Sequence, residues 1–494
     1  MPQRRLVVLC HAGAEHGMGH LMRSVAVIEE ALARGWSVRL SGSLTPPARA
    51  LAERLVPQAR LVGDWLGDPG KEAPDVLHVD SYVTPSLPEG PWLVSNMQDG
   101  PFGVRAADLA IDANLGAEER LVAADAPSVL AGVSAMAIRE QVRRQRDVVV
   151  DAGERLRVLV VVGGTDPFGL TTVAVAGLGT MRTPLDVTVV TPPDQRPALS
   201  RLAESSPHRV DLVPFLDDLP AVARRHDLVV GAAGTSVWDF ACMGLPMALL
   251  CVADNQQAGY EALVGRGLAF GLGHPPHDDL DERFRALDAA LADRALLAGL
   301  RDRGRELVDG LGAWRIVSAW EQLLDVPPGS ADDHGLTVRR ATLDDARLLL
   351  DWRNDPQTRR GSRSTDEVAW EDHAAWLGGV LASPSRRLLV VEKEGSPVGT
   401  VRWDHLGGRD WEVSITVAPA ARGRGLALSI LRAGESALDV DGPARLVSAV
   451  HADNAASRRL FQRAGYLPLT PPDGQGFATS SRWSFAPVRD RLPS

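Results

Sequence analysis

The stretch Gly17-Met18-Gly19-His20-Leu21-Met22-Arg23-Ser24 decides the reading of the first two thirds of this chain. It follows an apolar run at 6–10 and opens a helical pattern over 20–34. A strand, a small-residue loop and a helix start bring free backbone N–H groups and the positive end of a helix dipole to one point. That point suits an anion such as a diphosphate. Glycine ahead of the histidine admits positive φ and lets a ligand approach the backbone. His20, at the loop–helix junction, is a residue that can accept a proton near neutral pH.

Outward from this loop, short apolar runs alternate with helical patterns as far as about residue 325. Candidate strands lie at 38–40, 76–79, 92–94 and 109–111, then at 158–162, 187–190, 228–230 and 247–252. Runs apolar on both faces, separated by helices, predict buried parallel strands in βαβ units. The polar stretch 143–157 divides the series. The expected fold is therefore α/β, with two doubly wound Rossmann-like domains at 1–148 and 149–325. A Pro/Gly/Asp-rich linker at 326–335 leads to a third domain at 336–490, where helical runs come first and strands follow in succession. That order predicts α+β.

The chain has 494 residues, 45% hydrophobic and 23% charged, with a formal net charge of −10. That balance argues against a nucleic-acid surface. Cys10, Cys242 and Cys251 are too scattered for a disulfide framework or a zinc site, and no metal ligands cluster. No run approaches the roughly 18 apolar residues of a membrane span, and the N-terminus lacks an apolar signal region. A cytoplasmic protein with no membrane partner and no metal is expected.

Four further clusters fall at predicted strand ends: Asp80-Ser81-Tyr82, Gly163-Gly164-Thr165-Asp166-Pro167, Gly231-Ala232-Ala233-Gly234-Thr235-Ser236 and Asp254-Asn255-Gln256-Gln257. Small residues and hydroxyls before a helix can hold phosphate, and Asp239 one turn into the third can accept from ribose hydroxyls. Together with the opening loop, these motifs resemble the UDP-sugar hydrolases of pseudaminic acid biosynthesis and the related spore-coat polysaccharide proteins. Those families share the GT-B fold with MurG-type glycosyltransferases. The resemblance spans about residues 4 to 325. It implies that a UDP-sugar substrate contacts Gly17, Gly19, Arg23, Tyr82, Gly164, Thr165, Asp166, Gly234, Thr235, Ser236, Asp239, Asn255 and Gln256. It also implies that His20 activates the water that displaces UDP, without a metal. Asp239 stands where related enzymes carry glutamate, and Gln98-Asp99 where the family often has paired aspartates. A glycosyltransferase would share these features, as would a nucleotide-sugar-binding module without catalysis.

In the last third, the run 413–417 leads to Arg422-Gly423-Arg424-Gly425-Leu426-Ala427 and a helix. Glycine-spaced arginines at a helix start offer several N–H groups to one diphosphate, and the preceding strand edge can bond the amides of a pantetheine. With Asn454-Ala455-Ala456-Ser457 and Leu460-Phe461-Gln462-Arg463-Ala464-Gly465-Tyr466, this part resembles the GNAT acetyltransferases over about residues 336 to 488. The resemblance implies acetyl-CoA as cosubstrate, held by Val417, Arg422, Gly423, Arg424, Gly425, Leu426, Ala427, Asn454 and Ser457. Glu412 is the candidate base for the attacking amine, with His451 and Tyr466 as weaker candidates. Phe461 replaces the tyrosine that many members use as acid. Trp352-Arg353-Asn354-Asp355 and His373 with Trp376 look like the subgroup that acetylates amino-sugar nucleotides or protein N-termini. Both enzyme types occur in one pathway. The joint expectation is a bifunctional enzyme of nonulosonic-acid-type or polysaccharide sugar biosynthesis, which N-acetylates an amino-sugar nucleotide and hydrolyses a UDP-linked acetamido-deoxy sugar.

Overall fold

The computed structural model describes residues 3–484, apart from 14–16, 68–72, 84–85, 121–125, 150–152, 163–165, 167, 217, 252–253, 276–277 and 333. The first sheet contains β1 (Arg5–Cys10), β2 (Ser37–Ser41), β3 (Arg60–Leu61), β4 (Val76–Asp80), β5 (Leu93–Met97), β6 (Leu109–Asp112) and β7 (Ser128–Ala131). Its strands are all parallel, in the order β3-β2-β1-β4-β5-β6-β7. Strand order reverses between β1 and β4, so the loop after β1 and the end of β4 face one crevice, where such sheets bind ligands.

The second sheet repeats the plan with β8 (Leu156–Val161), β9 (Leu185–Val190), β10 (Arg209–Val213), β11 (Leu228–Ala232), β12 (Met247–Leu250) and β13 (Phe270–Gly273). The order is β10-β9-β8-β11-β12-β13, again parallel. Its reversal lies between β8 and β11, the strands that carry the 163–167 and 231–236 motifs. The α/β expectation of two doubly wound sheets therefore holds.

The helix Gly312–Asp325 follows the second sheet in sequence but packs on the first, against the helix Gly19–Ala33. Trp320 is fully buried there, 6.0 Å from Trp36 and 5.2 Å from His78 between ring centroids. Arg34 bonds Glu321 at 2.7 Å. A Cβ at Gly312 would lie 2.0 Å from the Met136 carbonyl, so only glycine permits this return of the chain.

The third sheet comprises β14 (Leu336–Arg340), β15 (Arg386–Lys393), β16 (Ser396–Gly407), β17 (Asp410–Val417), β18 (Ala444–His451), β19 (Leu467–Thr470) and β20 (Phe477–Ser484). Its order is β14-β15-β16-β17-β18-β20-β19, antiparallel except for β17 beside β18. Those two strands pair only over Asp410–Glu412 with Arg445–Val447, then diverge. Their facing edges beyond Glu412 are left to bond something else.

This sheet is docked on the first. Gln322 donates to the Tyr466 carbonyl at 2.7 Å, and Arg315 Nε to that of Leu469 at 2.7 Å. Leu467 belongs to the apolar core of the first sheet, and Trp483 packs beside Ala117 and Ala131. Part of the expected linker is also fastened: Gly329 N–H donates to the Arg463 carbonyl at 2.8 Å.

Candidate active sites

The first crevice is built on strand ends of the first sheet. The loop after β1 closes through paired backbone bonds between Gly13 and Gly17, and Gly17 adopts φ +70°, which glycine alone tolerates without strain. The helix Gly19–Ala33 then starts with no side-chain cap and no acid in its first turn. His20 and Arg23 are neighbours on that helix. Asp80, at the end of β4, receives both: His20 Nδ1 at 2.6 Å, Arg23 Nε at 3.1 Å and Arg23 Nη2 at 2.7 Å. Arg23 also clamps Asp99, with Nη1 to Oδ1 at 2.7 Å and Nη2 to Oδ2 at 2.9 Å. The Tyr82 hydroxyl donates to Asp99 at 2.7 Å, and Asn114 Nδ2 donates to it at 2.8 Å.

Electrostatics fix the protonation pattern. Burial by itself pushes the Asp80 carboxyl up, but Arg23 and His20 outweigh it and hold it below its ordinary range. Burial likewise raises Asp99, and Arg23, Tyr82 and Asn114 overcome it. Both are therefore carboxylates. An ionised carboxylate only accepts, so His20 Nδ1 is the donor, and in the neutral ring Nε2 carries the lone pair. This is the tautomer a general base needs. The ring is 5% exposed; Tyr82 meets it edge-on at 4.4 Å and is itself 45% exposed. Burial and Asp99 together keep the Tyr82 hydroxyl protonated far above neutrality.

The second sheet supplies the opposite wall. Thr235 precedes the helix Ser236–Met243, which also lacks a side-chain cap. A Cβ on Gly19 would lie 2.6 Å from Thr235 Oγ1. Two uncapped helix starts, one from each sheet, thus meet at Gly19 and Thr235, with Gly234 and exposed Ser236 alongside. Backbone N–H groups and two positive dipole ends at one place can hold a diphosphate. Burial pushes Asp239 up to about 6, eased by Arg139 and worsened by Glu29. Gln256 Oε1 is buried with no hydrogen-bond partner.

One expected ligand contact takes a different place. Asp166 Oδ1 accepts from Leu170 N–H at 2.9 Å, and Oδ2 from Thr171 N–H at 2.8 Å and Gln195 Nε2 at 3.0 Å. Its carboxylate occupies the start of the helix Leu170–Leu178, where a phosphate would otherwise sit. Gly164 and Thr165, and the side chain of Asn255 in the helix Asp254–Gly265, lie outside the described residues.

The third sheet encloses a cavity of about 830 Å³ between the diverging β17 and β18. Val413 to Val417 line it, as do Asn454, Ser457 and Phe461. Gly423 and Gly425 adopt φ +74° and +75°, turning the loop into the uncapped helix Ala427–Ser436, with Leu426 buried beneath. The Arg422 side chain is engaged internally, with Asp355 at 2.7 Å, Gln357 at 3.1 Å and Thr358 at 2.6 Å. It braces the loop, leaving Arg424 and the backbone for a diphosphate. Asn454 caps the helix Ala455–Arg463 by accepting from Ser457 N–H at 3.1 Å.

Glu412 sits where β17 and β18 part, and accepts from Arg363 at 2.8 Å. Tyr466 is fully buried and donates to Glu435 at 2.9 Å; burial and that carboxylate raise its pKa well above the ordinary value. It packs edge-on to Phe461 at 5.0 Å, a core role that removes it as a proton donor. His451 lines the cavity.

Asp80, Asp99 and Asn114 were not among the expected site residues. Asp80 was within reach of sequence reasoning, because it ends the strand that parallel topology puts beside the His20 strand. Asp99 and Asn114 arrive through loops whose paths depend on the register of β5 and β6.

The family model of the acetyltransferase (GNAT) domain matches residues 335–467. The spore coat polysaccharide biosynthesis protein SpsG of Bacillus subtilis is 24% identical over 173 residues, covering 34% of this chain and 50% of that protein. The chain therefore spans half the length of that relative. Among solved structures, MurG of Acinetobacter baumannii aligns over 65% of this chain and all of its own, at 15% identity and a TM-score of 0.49. A spermidine N-acetyltransferase of Vibrio cholerae, solved with CoA and spermine, aligns over 30% of this chain and 95% of its own, at 17% identity and a TM-score of 0.27. Among the described residues, no group of His, Cys, Asp and Glu could hold a metal ion, and no helix is long and apolar enough to cross a membrane.

Proposed function

We propose that the chain is a bifunctional enzyme of sugar-nucleotide metabolism, with domains at 1–148, 149–325 and 336–490. In the first crevice it hydrolyses a UDP-linked acetamido-deoxy sugar. The observation that carries this reading is the buried His20–Asp80 pair beside the meeting of two uncapped helix starts. Asp80 holds the imidazole in the base tautomer; Nε2 takes a proton from water as its oxygen bonds the anomeric carbon; the sugar–phosphate C–O bond breaks and UDP leaves. N–H groups at Gly19, Thr235 and Ser236 stabilise the departing diphosphate.

In the third domain, acetyl-CoA lies between the parted strands β17 and β18. The amine nitrogen attacks the thioester carbonyl, the C–S bond breaks, and the amine proton passes to Glu412. Phe461 cannot protonate the thiolate, so the site acts through positioning and the leaving thiolate takes its proton from solvent. Local retention of the intermediate gives the fusion its advantage.

The test supplies the full chain with a UDP-linked amino sugar and acetyl-CoA in ¹⁸O-water. The reading requires free CoA, free UDP, and label on the sugar C1 hydroxyl. UDP release without label in the sugar supports a glycosyltransferase instead, and UDP binding without turnover a non-catalytic module.

A further inference from the structure

The strands β16 and β17 turn one face to the acyl cavity: Arg402 lies opposite Ser414 and Asp404 opposite Glu412 in their ladder, and all four line it. Carboxylates at opposite positions of a ladder repel each other unless cations stand by them. Glu412 accepts from Arg363 at 2.8 Å, and Asp404 Oδ2 accepts from Arg402 Nε at 3.0 Å. Asp404 Oδ1 is left buried without a hydrogen bond, with Arg386 at 3.5 Å as its ion-pair partner. The helix Trp370–Ala382 covers the same end of the cavity. Its His373 is 3% exposed, 5.3 Å from the Trp376 ring, over which Arg402 lies at 5.7 Å. His373 bonds the Ala346 backbone through its other nitrogen, and its Nε2 is buried with no hydrogen-bond partner. Burial, aided by Arg353, holds this imidazole below its ordinary range, so the ring is neutral at pH 7 and Nε2 is an acceptor.

Two buried acceptors with nothing to bond, beside a carboxylate, suit a donor-rich cationic group, and a protonated amine is one. An amine that titrates near pH 8, like an α-amino group, reaches the enzyme mostly as its ammonium. It must shed two protons to become an amide, and Glu412 accounts for one of them. We propose that His373 takes the other and is a second catalytic residue of acetyl transfer. Asp404 Oδ1 holds the ammonium, and Nε2 accepts its first proton. The freed lone pair attacks the thioester carbonyl, the C–S bond breaks, and the second N–H proton passes to Glu412. The imidazolium then returns its proton to solvent. The charged groups facing His373 fit this sequence. Arg353, on the helix Ala346–Asn354, gives Nη2 to the Ser364 carbonyl at 2.9 Å and leaves Nη1 buried without a partner. With Arg402, Arg386 and Arg363 it makes this end positive enough to favour loss of a proton from the ammonium. Asp404, Glu412 and the exposed Asp372 keep it from repelling that ammonium outright. This inference rests on the acetyl-transfer reading above and adds how the amine is deprotonated, whatever molecule carries it.

The experiment follows thiol release by the full chain with acetyl-CoA and a UDP-linked amino sugar whose own amine pKa has been titrated. An enzyme that binds the ammonium and deprotonates it keeps kcat/KM level from that pKa, about 8, down to about pH 6.5. His373→Gln can use only the free amine, so its kcat/KM should fall tenfold per pH unit below the amine pKa. The defect is then about 30-fold at about pH 6.5 and within about threefold at about pH 9. Asp404→Asn should raise KM for the amine about tenfold with a smaller change in kcat. Acetyl-CoA affinity, measured by calorimetry, should be retained in both variants. A wild-type kcat/KM that already falls tenfold per pH unit below the amine pKa overturns the proposal without needing any variant. So does a His373→Gln defect of equal size at every pH, which marks a structural role. Absence of acetyl-CoA binding, or of transfer at any pH, overturns the acetyl-transfer reading itself and this proposal with it.

Discussion

Replacing Asp80 by asparagine tests the first crevice most directly. Asp80 is 1% exposed and receives three donors, one from His20 and two from Arg23. Hydrogen bonds to a charged group contribute about 1.5–3 kcal/mol each, but Arg23 keeps its clamp on Asp99, so the sum overstates the loss. A destabilisation of about 3 kcal/mol follows, at the low end for breaking a buried ion pair. For a cooperative unit of 150–250 residues that lowers Tm by about 6–12 °C. Trp36 and Trp320, buried in the same core, report it through their fluorescence. Asparagine can also present its amide NH₂ to His20 and favour the opposite tautomer, with the proton on Nε2. Water activation then fails, and UDP release should fall about 10²–10⁴-fold while UDP binding by calorimetry changes little. Tm within 1 °C of wild type, or UDP release within threefold, would refute the reasoning.

Other outcomes follow from the same structure. Gly19→Ala places a methyl 2.6 Å from Thr235 Oγ1; it should cost about 1–3 kcal/mol in thermal unfolding, and adding Thr235→Ala should restore most of it. Additive losses would show that the two helix starts do not touch. Arg315, 2% exposed, donates to the carbonyls of Ser134 and Leu469 and pairs with Asp309; Arg315→Met should cost about 3–5 kcal/mol and speed proteolytic cleavage within 326–335. Burial holds His78 neutral, with its pKa near 4 instead of 6.5. Its folded-state pKa lies below the unfolded one, so the stability it confers is intact above pH 6.5 and is lost as pH falls toward 4, by up to about 3 kcal/mol. Urea titrations across that range should show the loss, and His78→Gln should flatten it. Glu412→Gln should lower acetyl transfer about 10²-fold with acetyl-CoA affinity retained, as measured by thiol release and calorimetry.

Much of this fold is legible in the chain because its strands are buried on both faces. Runs such as 6–10 and 158–162 carry no alternation, and only a parallel sheet covered by helices accommodates them. β20 was illegible: its sequence, Phe477-Ala478-Thr479-Ser480-Ser481-Arg482-Trp483-Ser484, is half-buried throughout and owes its place to pairing with β18 and β19. The return of the helix Gly312–Asp325 to the first sheet was not legible, since sequence position says nothing about which sheet a helix covers. At the sites, loop glycines and the histidine announced themselves through local backbone demands. Asp166 and Arg422 lie in loops that read as anion sites, yet the fold uses the first as a helix cap and the second as a loop brace.

Local chemistry alone therefore determined the parallel sheets, the loops at their switch points, and the residue types at each. Those depend on burial periodicity and on positive φ, which act within a few residues. Tertiary structure decided which carboxylate meets His20, which helix start faces Gly19, and how firmly the third sheet is docked. Those depend on strand register and on packing between segments hundreds of residues apart, where a one-residue slip or a change of helix angle would redirect every side chain.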